Sequence, residues 1–148
     1  MKLPTALVRI LNIFLVPLLR SPLHGLMSAN IMVITVVGRR SGRRYVFPVS
    51  YLERDGELLC FTNNNWWRNV VEGGPVELVL RGNARTGRTS LASRDEESVR
   101  EGLRALFDKI PSDAPYYDVR LGSDGTPDRA QLAAAAQATV LIRITAVA

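Results

Sequence analysis

Two residue types on which much protein chemistry depends are nearly missing from this chain. Its 148 residues contain one cysteine, Cys60, and one histidine, His24. A single cysteine excludes an internal disulfide and a cysteine-built metal cluster, and a single histidine excludes the multi-histidine zinc sites. No metal site is expected. His24 stands between apolar neighbours in Ser-Pro-Leu-His-Gly, a setting for capping or packing, although its count alone does not exclude a histidine–nucleophile pair. Cys60 falls within an apolar strand candidate, where a thiol packs as a small hydrophobe. Internal repeats and low-complexity tracts are absent, and no second hydrophobic core is visible, so residues 1–148 are read as one domain.

A long uninterrupted hydrophobic run is also lacking. The stretch from Leu3 to Leu19 is mostly apolar, but Pro4, Thr5, Arg9, Asn12 and Pro17 break it. It is too short and too polar at Arg9 to span a bilayer comfortably. No small-residue cleavage site follows it, so it is read as an uncleaved arm rather than a signal peptide. Leu7, Ile10, Leu11, Phe14, Leu15 and Leu18 recur at helical spacing. The expectation for residues 1–30 is an apolar helical arm, either packed on the domain or lying in a membrane interface through residues 3–19. Localisation is then cytoplasmic, with peripheral contact at the inner face of the membrane as the second option. A second short helix is expected after Ser21, with Pro22 at its first position.

What is present is ordinary in bulk and uneven in detail. Hydrophobic residues make up 47% and charged residues 22%, as in a soluble globular domain. Lysine and arginine number 19 against 14 acidic residues, a net charge of +5. Such a surplus favours an acidic small molecule, a nucleic acid or an anionic surface without choosing among them.

Beyond the arm the pattern turns to strands. Ile31 to Val37 is β-branched and continuous, Tyr45 to Leu52 is a second strand, and Pro48 within it requires an edge or a bulge. Arg54-Asp-Gly56 signals a hairpin into Glu57 to Thr62. Pro75 to Arg81 alternates, turns at Gly82-Asn83 and continues as Ala84 to Ala92, with a bulge expected at Gly87. Ser93 to Glu96 reads as a capping box for a helix marked by Val99, Leu103, Leu106, Phe107 and Ile110. Residues 111–128 read as a loop, Asp128 to Ala136 as an alanine-rich helix, and Thr139 to Val147 as a closing strand. The expected class is mainly β (α+β), about six antiparallel strands in a small barrel that removes its own edges, with one or two packed helices.

Two stretches carry the chemistry. Between the first two strands, Gly38 and Gly42 bracket Arg39, Arg40 and Ser41, and Arg43 and Arg44 follow. Glycine lets backbone amides turn inward, and guanidinium forks match the geometry of phosphate and carboxylate, so this loop suits a multiply negative ligand. The plain alternative is a solvated turn that blunts a sheet edge. The second stretch is Thr62-Asn-Asn-Asn-Trp-Trp-Arg-Asn69. Its asparagines suit a loop, and Trp66 to Asn69 should open a short helix ending at Gly73-Gly74, whose first amides and Arg68 would also attract anions. Adjacent tryptophans point in different directions on a helix, so one is expected in the core and the other as the wall of a flat ligand. One basic loop and two tryptophans are too few to favour single-stranded nucleic acid.

Gly38-Arg-Arg-Ser-Gly42, Phe47-Pro-Val-Ser-Tyr51, Trp66-Trp-Arg-Asn69 and Gly73-Gly-Pro-Val76, in that order, resemble the deazaflavin-dependent nitroreductase family over roughly Leu19 to Ala92. These are flavin/deazaflavin oxidoreductases with a split β-barrel fold. The resemblance implies that Arg39, Arg40, Ser41, Gly42 and Arg43 hold the phosphate and oligoglutamate tail of coenzyme F-420. It implies too that Pro48 and Val49 lie near the deazaflavin ring, and that Trp67 and Asn69 line the cofactor groove. Asn63, Asn64 and Asn65 depart from the longer Lys- and Gly-containing loop of several relatives.

The activity so implied is hydride transfer to an apolar acceptor such as a quinone, an unsaturated lipid or a nitroaromatic, the apolar arm being the reason to expect an apolar substrate. Tyr51, Tyr116 and Tyr117, with Ser50, are the candidate proton donors. The alternatives are an FMN- or haem-binding barrel, or an anion- or membrane-binding module without catalysis. FMN has a single phosphate, fewer charges than this many arginines would neutralise. The expected partners are a small apolar substrate and no nucleic acid, with a monomer or a homodimer as the assembly.

Overall fold

A computed structural model describes residues 30–70, 73–90 and 92–147. Six strands close into an antiparallel barrel: β1 (Ile31–Val37), β2 (Arg44–Arg54), β3 (Glu57–Thr62), β4 (Pro75–Leu80), β5 (Asn83–Thr89) and β6 (Val140–Val147). Their order around the barrel is β1-β2-β3-β6-β5-β4. Two helices, α1 (Glu96–Lys109) and α2 (Arg129–Ala138), lie between β5 and β6 in the chain. The fold is the split β-barrel that the resemblance implied. The arm and the short helix after Ser21 lie outside the described residues. Among the described residues no helix is long and apolar enough to cross a membrane.

The side-chain period of two explains why the chain has two cores. Leu58 and Cys60 of β3 point into the barrel with Met32, Ile34, Val36, Tyr51, Leu78, Ile142 and Ile144. Leu59 and Phe61 point outward, with Leu52 and Leu141, against Val99, Leu103, Leu106 and Phe107 of α1 and Leu132 of α2. β3 is therefore buried on both faces, which is why its sequence reads as an unbroken apolar run. Gly102 allows α1 to lie flat on this layer, since a Cβ there would come within 2.8 Å of the Phe61 ring.

Four expectations change in detail. Both two-residue hairpins, Asp55-Gly56 and Arg81-Gly82, have positive φ at both central residues (54° and 79°, 48° and 76°), the geometry whose twist matches the flanking strands. The second turn therefore comes one residue earlier than Gly82-Asn83, and β4 ends at Leu80. Gly87 is not a bulge, because the registers on both sides of β5 run through it without a break. The cap of α1 is Asp95, whose carboxylate accepts from the Ser98 amide at 3.0 Å, and not Ser93. Ser93 is drawn out of that role by a bridge to Leu141, its amide donating at 2.8 Å and its carbonyl accepting at 2.9 Å. Finally, residues 111–117 of the expected loop form a 3-10 helix, with Pro111 at its start.

Cys60 is fully buried, and desolvation of the thiolate pushes its thiol pKa up to about 12. It should resist a maleimide reagent in native protein over hours and react quickly once denaturant unfolds the barrel. Labelling at the same rate in both states would show that the interior is open.

Candidate functional site

Within the closed barrel, one stretch of β2 is paired on one side only. β2 pairs with β1 from Arg44 to Ser50 but with β3 only from Tyr51 to Arg54, so its first half has one strand neighbour. Pro48, opposite Val33, sits in that half, where a missing N–H interrupts no second ladder. β3 leaves its partner here, and the chain after Thr62 turns back through Asn63 to Asn69. Trp66 from this return lies against Phe47 of β2, with ring centroids 5.1 Å apart at 59°.

The return contains a single 3-10 turn, Asn65–Asn69, after which Val70 is already extended. The helix expected to reach Gly73-Gly74 is not formed. One five-residue 3-10 turn is too short to build a macrodipole, and Val70 favours the extended state. The anion-attracting helix N-terminus anticipated at this place is therefore absent, and within Asn65–Asn69 the charge comes from Arg68.

The Gly38–Arg43 loop is held from within. The Gly38 amide donates to the Arg43 carbonyl at 2.8 Å, the Gly42 amide to the Gly38 carbonyl at 2.9 Å, and the Arg43 amide to Ser41 Oγ at 3.2 Å. A Cβ at Gly38 would meet Ser41 Oγ at 2.8 Å and the Tyr45 ring at 3.1 Å, so the tight close of the loop needs glycine. Gly42 has φ +68°, a left-handed conformation that other residues adopt with strain. The Arg39 amide donates across to Asn69 Oδ1 at 3.1 Å, tying this loop to the 3-10 turn. With those amides committed, the loop offers fewer inward amides than a full nest would. Among the described residues only the Arg40 and Ser41 amides of its Arg39–Arg43 run have no hydrogen-bond partner.

Between loop and turn runs an open groove of about 670 Å³, lined by Gly38, Arg39, Arg40, Ser41, Tyr45, Phe47, Asn65, Trp66, Arg68 and Asn69. It joins three arginines to three aromatic residues. Arg39, Arg40, Ser41 and Asn69 are thus brought together as the sequence suggested. Gly42 and Arg43 belong to the loop without lining the groove. Val49 packs against the barrel interior, and neither it nor Pro48 is in the groove wall. Trp66, not Trp67, forms the aromatic wall. Both tryptophans pack against the barrel core, and Trp67 carries the Arg68 guanidinium 5.1 Å above its ring. Arg44 is turned away and paired with Glu77 across β1.

The tyrosines lie elsewhere. Tyr51 is fully buried in the barrel interior. Burial raises its phenol pKa, and the Arg81 guanidinium in the β4–β5 turn, at the opposite end from Gly38, works against that. Lys109 Nζ stands 4.4 Å from its ring centroid and donates to its carbonyl at 3.0 Å. Tyr117 packs under α1 on Phe107, with ring centroids 5.7 Å apart, and burial pushes its pKa far up. Tyr116 is its half-exposed neighbour. None of the three lines the groove. Tyr45 and Phe47 do, and the alternation of β2 next to Gly38 was the signal that could have found them.

Fold and groove together define a split barrel with a basic, aromatic-walled cleft at one end. Solved structures similar to it include an F-420 reductase, at 16% identity over 80% of this chain and 87% of that one, with TM-score 0.53. A conserved hypothetical protein from Mycobacterium tuberculosis matches at 12% identity over 80% and 74% of the two chains, with TM-score 0.55. A putative 5-nitroimidazole antibiotic resistance protein from Bacteroides thetaiotaomicron matches at 9% identity over 84% and 78%, with TM-score 0.51. At these identities the likeness establishes the fold. No protein-family model matches the chain. No curated protein matches it either.

Proposed function

We propose that the chain is a flavin- or deazaflavin-dependent oxidoreductase whose cofactor is coenzyme F-420, held in the groove beside the Gly38–Arg43 loop. The observation that carries this reading is the joining of Arg39, Arg40 and Arg68 to Tyr45, Phe47 and Trp66 in one cleft. A ligand that fills it must be flat at one part and multiply negative at another. A deazaflavin with a phosphate and an oligoglutamate tail has that form, and one structural neighbour is an F-420 reductase. The arginines would hold the anionic tail, assisted by the Arg40 and Ser41 amides. Trp66 and Phe47 would flank the ring, and the half of β2 that contains Pro48 and Val49 would border it.

When bound, such a cofactor supplies a hydride. The chain's contribution is to orient the ring, neutralise the tail and exclude water from one face. Neither the buried Tyr51 nor the partly buried Tyr117 lines that cleft, so proton delivery by them is not part of the proposal. The apolar stripe of the sequence before Arg20 supports an apolar acceptor, such as a quinone, an unsaturated lipid or a nitroaromatic.

Titration with oxidised coenzyme F-420 and, separately, with FMN tests this reading through tryptophan fluorescence, because Trp66 is in the groove wall. Saturable quenching by F-420 at micromolar concentration is expected. A response to FMN alone would move the protein to the flavin branch, and no response to either would overturn the assignment.

A further inference from the structure

The walls of the groove come from segments 30 residues apart in sequence, and among the described residues a single hydrogen bond joins the loop backbone to the turn: Arg39 N–H to Asn69 Oδ1, at 3.1 Å. Among the described residues, the other hydrogen bonds of the Gly38–Arg43 loop are internal to it. Asn69 is the last residue of the 3-10 turn that also carries Trp66 and Arg68. The carboxamide is half-buried and lines the groove.

We infer that Asn69 is a positioning residue: its carboxamide oxygen fixes the arginine loop against the tryptophan turn, so that the anion-binding and ring-binding walls are set in register before a ligand arrives. The role is distinct from lining the groove. It rests on the cofactor reading for its consequence in binding, but its structural half stands without any ligand. With the carbonyl oxygen engaged by Arg39, the carboxamide NH₂ is the part left to face other groups.

Removing the tie frees the loop to sample other arrangements, and a ligand that spans both walls must then order it on binding. A ligand that uses only one wall loses less. This makes Asn69 a determinant of specificity for ligands that combine a ring with an anionic tail.

Substitution separates the parts. Asn69→Ala removes the acceptor. Asn69→Asp keeps an acceptor for the Arg39 amide, and a carboxylate accepts at least as strongly, but it loses the NH₂ and adds a negative charge between arginines. Amide hydrogen exchange in ligand-free protein gives the first readout. Exchange at Arg39 should rise about tenfold in Asn69→Ala and stay near wild type in Asn69→Asp. The second readout is affinity for coenzyme F-420 and for inorganic pyrophosphate. Asn69→Ala should weaken F-420 about tenfold and pyrophosphate by less than threefold. Asn69→Asp should weaken both, with the loss shrinking as salt is raised.

Unchanged Arg39 exchange in Asn69→Ala would overturn the inference, as would equal loss of both ligands in that variant. If wild-type protein fails to bind F-420 while the exchange result holds, the cofactor reading falls and the positioning role remains. Should Asn69→Ala not fold, exchange in wild-type protein still decides: an Arg39 amide that exchanges as fast as the unpartnered Arg40 and Ser41 amides of the same loop would overturn the tie.

Discussion

Replacing Arg39 and Arg40 together by alanine should lower the affinity for coenzyme F-420 by about 10² to 10⁴-fold while leaving the thermal midpoint nearly unchanged. Each charge-assisted hydrogen bond to a phosphate or carboxylate is worth roughly 1.5–3 kcal/mol, and two are removed. Both side chains are exposed, so little packing is lost with them. Arg44→Ala is the matched control. It lowers the charge of the same hairpin, but its guanidinium is paired with Glu77 outside the groove and should matter less than threefold. Titration in low and in raised salt checks the cause, since a tail held by exposed arginines binds more weakly as screening increases. A double variant that binds F-420 as wild type does would remove the arginine loop from the site altogether.

The second large effect is on stability. Gly87→Ala is expected to destabilise the barrel by about 1–3 kcal/mol, a fall of several degrees in the melting midpoint. A Cβ at this position would lie 2.5 Å from Ile144 Cγ2, 3.3 Å from Leu78 Cδ1 and 3.4 Å from the Thr145 carbonyl. These contacts belong to paired strands on both sides of β5, so neither can recede without disturbing its own register. A cycle with Ile144→Ala isolates the clash: the double variant should be more stable than the sum of the single losses predicts. Strict additivity, or a Gly87→Ala protein as stable as wild type, would mean that β5 sits farther from β6 than described.

Much of this fold could be read from the chain because the strands are buried in different ways. Ile31 to Val37 and Glu57 to Thr62 are continuous and β-branched or apolar, and their bounds came out as expected. Pro75 to Leu80 alternates because only one of its faces is packed. Errors appeared where a distant contact outweighed a local preference. Ser93 has the spacing of a capping residue, but its backbone is taken by Leu141, and Asp95 does the capping instead. Gly87 carries the ordinary mark of a bulge, yet what requires glycine is Ile144, far along the chain.

Which residues line the candidate groove was legible to the same extent. A run of arginines between glycines announces an anion site by composition, and the structure keeps Arg39 and Arg40 in the groove. Which tryptophan lines the groove depends on the backbone of a 3-10 turn, and no periodicity distinguishes Trp66 from Trp67 over five residues. Tyr45 and Phe47 needed both the alternation of β2 and the knowledge that β3 leaves it after four paired residues. The tyrosines suggested as proton donors were chosen for their chemistry, and packing puts Tyr51 inside the barrel core and Tyr117 against the helix layer.

The tight turns at Asp55-Gly56 and Arg81-Gly82 give the molecule a head and a tail. With two residues each, they leave the β2–β3 and β4–β5 pairs no slack at that end. The other end holds the Gly38–Arg43 loop and the long return from Asn63, segments that can change length and chemistry while the strands keep their pairing. New binding specificities can therefore be selected at the head without retuning the barrel. A dye, an affinity tag or a surface linkage placed at Asp55 would sit at the tail, out of the way of whatever enters the cleft.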